Sequence, residues 1–256
     1  GDQSVIYGMS NKVNSSGVII ADTAATGGEL TQRGAATYGT DKAIFAFGTS
    51  SSSQVNTINL VNNVGVVAAN STGTGSARLS LAATAYGSSG QAIFAYGIES
   101  GGSQNKSNKV SNQGVVASDT SGVGTARHEL GASPFGGDKG IFAYGYSNVV
   151  HSNQNKSNIV ANTGVIASDS SGVGTARGGL AAAQFGDRCI FGYGSGGGPS
   201  NLVSNTGVVA SDVSIVGTGR IGVAGAPYGG TKGLFAFGAN GTTYYAMSNL
   251  VSTSGV

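Results

Sequence analysis

GVVASDTSGVGTARHELGASPFGGDKGIFAYG, residues 114–145, returns one period later as GVIASDSSGVGTARGGLAAAQFGDRCIFGYG, residues 164–194. Two phrases this alike in one chain mark a tandem repeat, and the period sets the size of the structural unit. Working outward, three short motifs recur in fixed order. An aromatic strand reads VIYG (5–8), AIFAFG (43–48), AIFAYG (92–97), GIFAYG (140–145), CIFGYG (189–194) and GLFAFG (233–238). An asparagine-led hairpin starts at Asn11, Asn59, Asn108, Asn158, Asn201 and Asn249. An alanine-rich run follows Arg78, Arg127, Arg177 and Arg220; an earlier copy ends at Gly39 with Arg33 three places late.

The distance from hairpin asparagine to the next arginine is the same in four copies: Asn59 to Arg78, Asn108 to Arg127, Asn158 to Arg177 and Asn201 to Arg220. That constancy describes a rigid scaffold. The stretch between the aromatic strand and the hairpin varies in length and content, as surface loops do. The hairpin turns carry glycine, as in Ser-Asn-Thr-Gly at 204–207; glycine supplies the positive φ of a tight turn. No segment shows a capped 3.6-residue apolar period. Each unit of roughly 48 residues therefore reads as four short antiparallel strands, the size of one propeller blade.

In AIFAFG, Ile44 and Ala46 are expected on one side and Phe45 and Phe47 on the other. A strand apolar on both faces must be covered on both, as stacked blades are. The alanine run suits the innermost strand, where only small side chains fit. The expected fold is all-β, a β-propeller of about five four-stranded blades in a single domain, 1–256, with the terminal strands meeting in one blade. Six blades with incomplete first and last units is the alternative. A β-helix or solenoid is the rival architecture, and the hairpin turns argue against it.

Composition excludes several functions. Of 256 residues 46 are glycine, only 9% are charged, and the net charge is +2. No basic run offers a footprint for nucleic acid, and no apolar run approaches the ~18 residues of a membrane span. The lone Cys189 excludes an internal disulfide and reads as a small buried residue.

The phrases GVVASDTSGVGTAR and FGGDKGIFAYG resemble repeats of virion structural proteins of tailed phages, marine and cyanobacterial ones especially. The order of arginine, alanine strand, aromatic strand and asparagine strand is similar to the kelch repeat, but kelch's glycine doublet and tryptophan are missing. The resemblance covers nearly the whole chain. It implies a virion-surface or tail-associated component, located on the virion or otherwise extracellular, and transfers no catalytic residue.

Motifs that suggest chemistry have plainer readings. GVGTAR (122–127, 172–177) lacks the lysine and the helix of a phosphate loop and reads as a turn. Asp22, Asp119, Asp169 and Asp212 each offer one carboxylate, too few for calcium, and are expected to form local Asx-type turns. The recurrent arginines are expected to donate to backbone carbonyls between blades. His128 and His151 have no metal spacing. Triplets of glycosylation type at Asn14, Asn70, Asn105, Asn155 and Asn240 are common by chance in such a composition. Neither a catalytic set nor a cofactor or metal site is expected.

The variable loops are the binding candidates: Glu99 in one, Tyr146 and His151 in another, Tyr244 and Tyr245 in the last. The expected partners are other virion or surface proteins, with a host-surface glycan or protein as ligand and self-association into a homo-oligomer. The alternative is a secreted lectin-type propeller that binds glycans once per blade.

Overall fold

The computed structural model describes residues 8–12, 20–24, 26 and 28–252. They are all-β, with no α-helix; a single 3-10 turn spans Ser195–Gly197. None of the described helices is long and apolar enough to cross a membrane.

Five antiparallel sheets follow one another, one per repeat. Unit one pairs Gly34–Tyr38, Lys42–Ala46 and Thr57–Val61; unit two pairs Ala82–Tyr86, Gln91–Ala95 and Ser107–Val110. Unit three holds Gly131–Phe135, Lys139–Ala143 and Ser157–Val160. Unit four holds Ala181–Phe185, Arg188–Gly192 and Asn201–Val203, and unit five holds Ala224–Tyr228, Lys232–Ala236 and Ser248–Val251. In every sheet the aromatic strand lies between the alanine strand and the asparagine strand.

The expected fourth strand is regular only in unit one, as Ser71–Thr72. Elsewhere it shrinks to single bridges such as Val110 with Val116 and Ser107 with Thr120. In every one of these units the asparagine side-chain amide also holds a carbonyl of the returning strand, Asn59 to Ala68, Asn108 to Ala117 and Asn201 to Ala210, each at 3.0 Å. The turn at 204–207 forms as its glycine requires, with Gly207 at φ 88° and its N–H donating to Ser204 O.

The alanine strands pack side by side in chain order, unit one on two, two on three, three on four and four on five. All five line one open cavity of about 320 Å³. Side-chain size is matched across each junction. The third residue of one alanine strand meets the second residue of the next aromatic strand. Thr84 faces Gly140, where an added Cβ would lie 2.5 Å from Thr84 Cγ2; Ala183 faces Gly233, where it would lie 3.0 Å from Ala183 Cβ. In units two to four the fourth aromatic-strand residue, Phe94, Phe142 or Phe191, is buried together with the residues on either side of it, so both faces of those strands are covered; in unit five Phe235 is buried while Leu234 and Ala236 are half-buried. Phe45 is 37% exposed.

Phe47 departs from the expected alternation. The strand ends at Ala46, and Phe47 sits at φ 63°. Tyr96, Tyr144, Tyr193 and Phe237 do the same at φ 62–66°. This left-handed step is rare for aromatic residues; in units one to four it turns the ring out of its own sheet and onto the next one, while Phe237 is exposed.

No comparable packing joins the alanine strand of unit five to that of unit one among the described residues. All five residues of Ala224–Tyr228 are exposed. Nor do the terminal strands share a sheet: Met9–Ser10 pairs only with Thr23–Ala24. Instead Lys12 Nζ donates to Val64 O of unit one at 3.0 Å, repeating the contact of Lys109 with Thr163 O between units two and three. Most of the first aromatic copy (5–8), Asn14 and the turn glycines Gly17 and Gly255 lie outside the described residues.

Substituting Gly140→Ala should destabilise the fold by about 1–3 kcal/mol through overpacking. Adding Thr84→Ala should recover most of that loss, because it removes the atom the new methyl strikes. Urea unfolding of the two single variants and the double variant measures the coupling; additive losses would refute the size matching.

Candidate functional site

The recurrent polar residues come together between the sheets. Arg177 is completely buried. Its Nε donates to Tyr193 O at 2.9 Å, Nη1 to Thr175 O at 3.0 Å and Nη2 to Asn201 Oδ1 at 2.7 Å. Asn201 passes the contact to Asp212 Oδ1 at 2.9 Å. Asp212 also accepts the Thr175 N–H at 2.9 Å and its hydroxyl at 2.6 Å. The guanidinium carbon stands 4.0 Å above the centre of the Tyr144 ring of the preceding unit. That ring meets Phe191 edge to face at 5.5 Å.

The same hub forms from Arg78, Asn108, Asp119 and Ser76, and from Arg127, Asn158, Asp169 and Thr125. Arg127 Nε is the member without a hydrogen bond. Arg220 repeats the arginine contacts with Phe237 O, Thr218 O and Asn249 Oδ1. Arg33, out of register in sequence, reaches the equivalent acceptors: Phe47 O at 3.1 Å and Asn59 Oδ1 at 2.7 Å. The arginines do bond backbone carbonyls, but those of their own unit and connector and not, as expected, of a neighbouring one; what they lay against the preceding unit is the face of the guanidinium on an aromatic ring. Arg78, Arg127, Arg177 and Arg220 are buried and closed to outside anions.

The aspartates differ from expectation. Asp119, Asp169 and Asp212 bind residues 43, 44 and 37 positions away, so they tie distant connectors and do not close local turns. Around Ser76 and Thr125 the connector is half-buried, so its N–H groups need an acceptor, and the carboxylate supplies it. Asp22 accepts from Asn11 at 2.7 Å. The glycine loops are held likewise. Asn105 Nδ2 donates to Gly124 O at 2.9 Å and Asn155 Nδ2 to Gly174 O at 2.8 Å, which turns these two triplet asparagines inward. Cys189 is buried beside Ser133, and burial pushes its thiol up to about 12, unsuited to nucleophilic chemistry.

The variable loops meet through direct bonds. Ser100 N–H donates to Gln54 of the preceding unit, Ser103 Oγ to Asn148 of the next at 2.9 Å, and Asn153 Nδ2 to Ser195 Oγ at 3.2 Å. Beside them runs a backbone ladder. Ser80 N–H donates to Gln32 O, Glu129 to Ser80 O, Gly179 to Glu129 O and Gly222 to Gly179 O, at 2.9–3.1 Å. All five residues have positive φ. The ladder floors an open basin of about 830 Å³, which Tyr244 and Tyr245 also line.

The five proposed contact residues separate here. Tyr244 is exposed and Tyr245 half-buried at the basin, while Glu99, Tyr146 and His151 do not line it. Glu99 is bound to Lys106 at 2.9 Å, and Tyr146 packs edge-on against His128 at 5.6 Å. His151 stands exposed on the hairpin that joins Tyr146–Ser147 to Ser152–Asn153. Gln32 and Glu129, at the basin floor, were missed by the sequence reading. Their shared signal is the place two residues after the arginine position, where the backbone must turn left-handed. Among the described residues no group of three or more His, Cys, Asp or Glu is placed to hold a metal. Comparison with protein-family models and with curated proteins returns no match.

Acid should dissolve the hubs. Burial opposes the Asp169 charge, but the Thr125 hydroxyl and N–H, Asn158 and Lys156 outweigh it and hold the carboxyl down at about 2. Asp119 and Asp212 are lowered for the same reasons. A depressed carboxylate stabilises above its unfolded value, about 3.9, and loses that contribution as pH falls through the folded one. The urea midpoint should therefore be flat near neutrality and fall from about pH 4 towards pH 2, and Asp169→Asn should make that fall shallower. An unchanged profile in the variant would remove Asp169 from the account.

Proposed function

We propose that the chain is a non-enzymatic scaffold of a virion surface or tail, presenting variable loops for attachment or assembly. The finer architecture proposed with it is a propeller-like ring. Its support is that the alanine strands of all five units line one cavity and that the basin is lined by units one and five together. The paired strands Met9–Ser10 and Thr23–Ala24 stand beside Lys12, which bonds unit one as Lys109 of unit two bonds unit three. This favours six positions around the axis, five of them complete sheets.

One observation carries the functional reading: the polar residues that repeat are buried in the hubs, whereas the loop tips, which vary, are exposed. The arginines and asparagines recur in place and are consumed in the hubs. The loop tips differ from unit to unit, from Ser100 and Gly101 to Val149–His151 and to Gly241 and Tyr244. A lectin with one site per repeat would repeat its sugar contacts, and the loop tips do not.

Labelled protein incubated with cyanobacterial envelopes tests this. Replacing 148–151 with Asn-Gly, or Tyr244→Ser with Tyr245→Ser, should lower retention at least about tenfold while leaving thermal unfolding unchanged. Binding of one glycan at five equal sites on an array would instead establish the lectin reading.

A further inference from the structure

We propose that Asn240 is a self-modifying residue: the amide nitrogen of Gly241 converts it to aspartate or isoaspartate, and the change ages the hairpin that carries Tyr244. The effect on attachment rests on the function proposed above; the chemistry does not.

Asn240–Gly241 is the only asparagine–glycine step in the sequence. It sits where a hairpin turns. Asn240 pairs with Thr243, and Gly241 opens the two-residue loop between them at φ 58°. Glycine in the first central place is what such a turn favours. It also leaves the peptide nitrogen uncovered, since no Cβ stands beside it. Both residues are exposed, and no atom lies within 4 Å of where a Cβ would stand on Gly241. Hairpin tips at the internal junctions are equally open: Gly101 also lacks such a neighbour, and Val149 is 67% exposed. Exposure therefore belongs to the hairpin and not to its place in the chain.

The free carboxamide singles out Asn240. Asn108, Asn158 and Asn201 are held at both side-chain atoms in the hubs. Among the described residues only Asn63, Asn112 and Asn240 make no side-chain hydrogen bond. Val64 and Gln113 follow the first two, so a Cβ shields the nitrogen there. Only Asn240 combines a free amide with a glycine neighbour, and no hydrogen bond among the described residues occupies the Gly241 N–H.

The reaction needs water and no other reagent. The Gly241 nitrogen loses its proton and attacks Asn240 Cγ. The N–Cγ bond forms, the Cγ–Nδ2 bond breaks, and Nδ2 leaves as ammonia with the proton. Water then opens the cyclic imide. Cleavage of N–Cγ leaves aspartate; cleavage of the bond to the backbone carbonyl carbon leaves isoaspartate, whose main chain runs through the former side chain. Either product puts a carboxylate on a hairpin that has none between Ala239 and Tyr244. Isoaspartate also lengthens the main chain at the loop by one carbon. Loop length fixes hairpin register, so the pairs Asn240–Thr243 and Ala239–Tyr244 are lost and Tyr244 moves from its place.

The full chain is kept in warm neutral buffer made with heavy-oxygen water, and samples taken over time are mapped by peptide mass spectrometry. Conversion at Asn240, with gain of one heavy oxygen, should run to completion before Asn63 or Asn112 has reacted measurably. Asn240→Gln, which sets the amide one carbon further from the nitrogen, should abolish it. Retention on cyanobacterial envelopes should fall with age in the natural chain and stay level in the Asn240→Gln chain. Failure of fresh protein to bind would count against the attachment reading alone, because the mass map still decides the site. Conversion no faster at Asn240 than at the other two, or aged protein retained as well as fresh, would overturn the proposal.

Discussion

A guanidinium held between two sheets is the interaction on which the structure depends. Each unit is a small sheet of three strands, four in unit one, too small to bury its own apolar faces. The arginine joins it to its predecessor in two ways. It stacks on a ring that the preceding unit has swung outward, and it bonds the carbonyl and asparagine of its own unit. Desolvated stacking of this kind is worth about 2 kcal/mol, and the edge-to-face aromatic pair beneath it adds about 0.5–1.5 kcal/mol. The cation is tolerated in the interior because nearly all its donors are used and a carboxylate lies 3.6 Å away in two of the hubs; a buried charge without such partners would be strongly destabilising.

The left-handed aromatic residue makes that stack possible. A φ near 60° costs energy for any side chain with a Cβ, yet it recurs at Phe47, Tyr96, Tyr144, Tyr193 and Phe237. Without it the ring would return to its own sheet and the guanidinium would lose its platform. Three tyrosines gain a further bond from the detour, since Tyr96, Tyr144 and Tyr193 donate their hydroxyls to Val123, Val173 and Val216 carbonyls. Local strain is thus offset by contacts between units.

Much of this was legible in the sequence. Period, strand order, turn glycines and the structural role of the arginines follow from repeated phrases. The left-handed step did not, because Tyr-Gly after a strand reads equally well as two more extended residues. Arg33 appeared lost from register, yet the backbone keeps register with Leu30 in the arginine place, and a long side chain three residues on reaches the same acceptors. The aspartates misled because spacing along one unit cannot reveal a partner in the connector from another. Of the loop residues, Glu99 and Tyr146 looked free only because Lys106 and His128 are invisible as neighbours until the hairpins fold.

The matched sizes across the junctions also fix the order of the repeats. Thr84 stands against Gly140, Ser133 beside Cys189, and Ala183 against Gly233. The phrases are similar enough for unequal recombination to delete or exchange a unit, but a threonine set against the cysteine would have no room. Such a selection pressure keeps near-identical modules from being shuffled, and it makes each seam a private pairing in a chain that otherwise looks periodic.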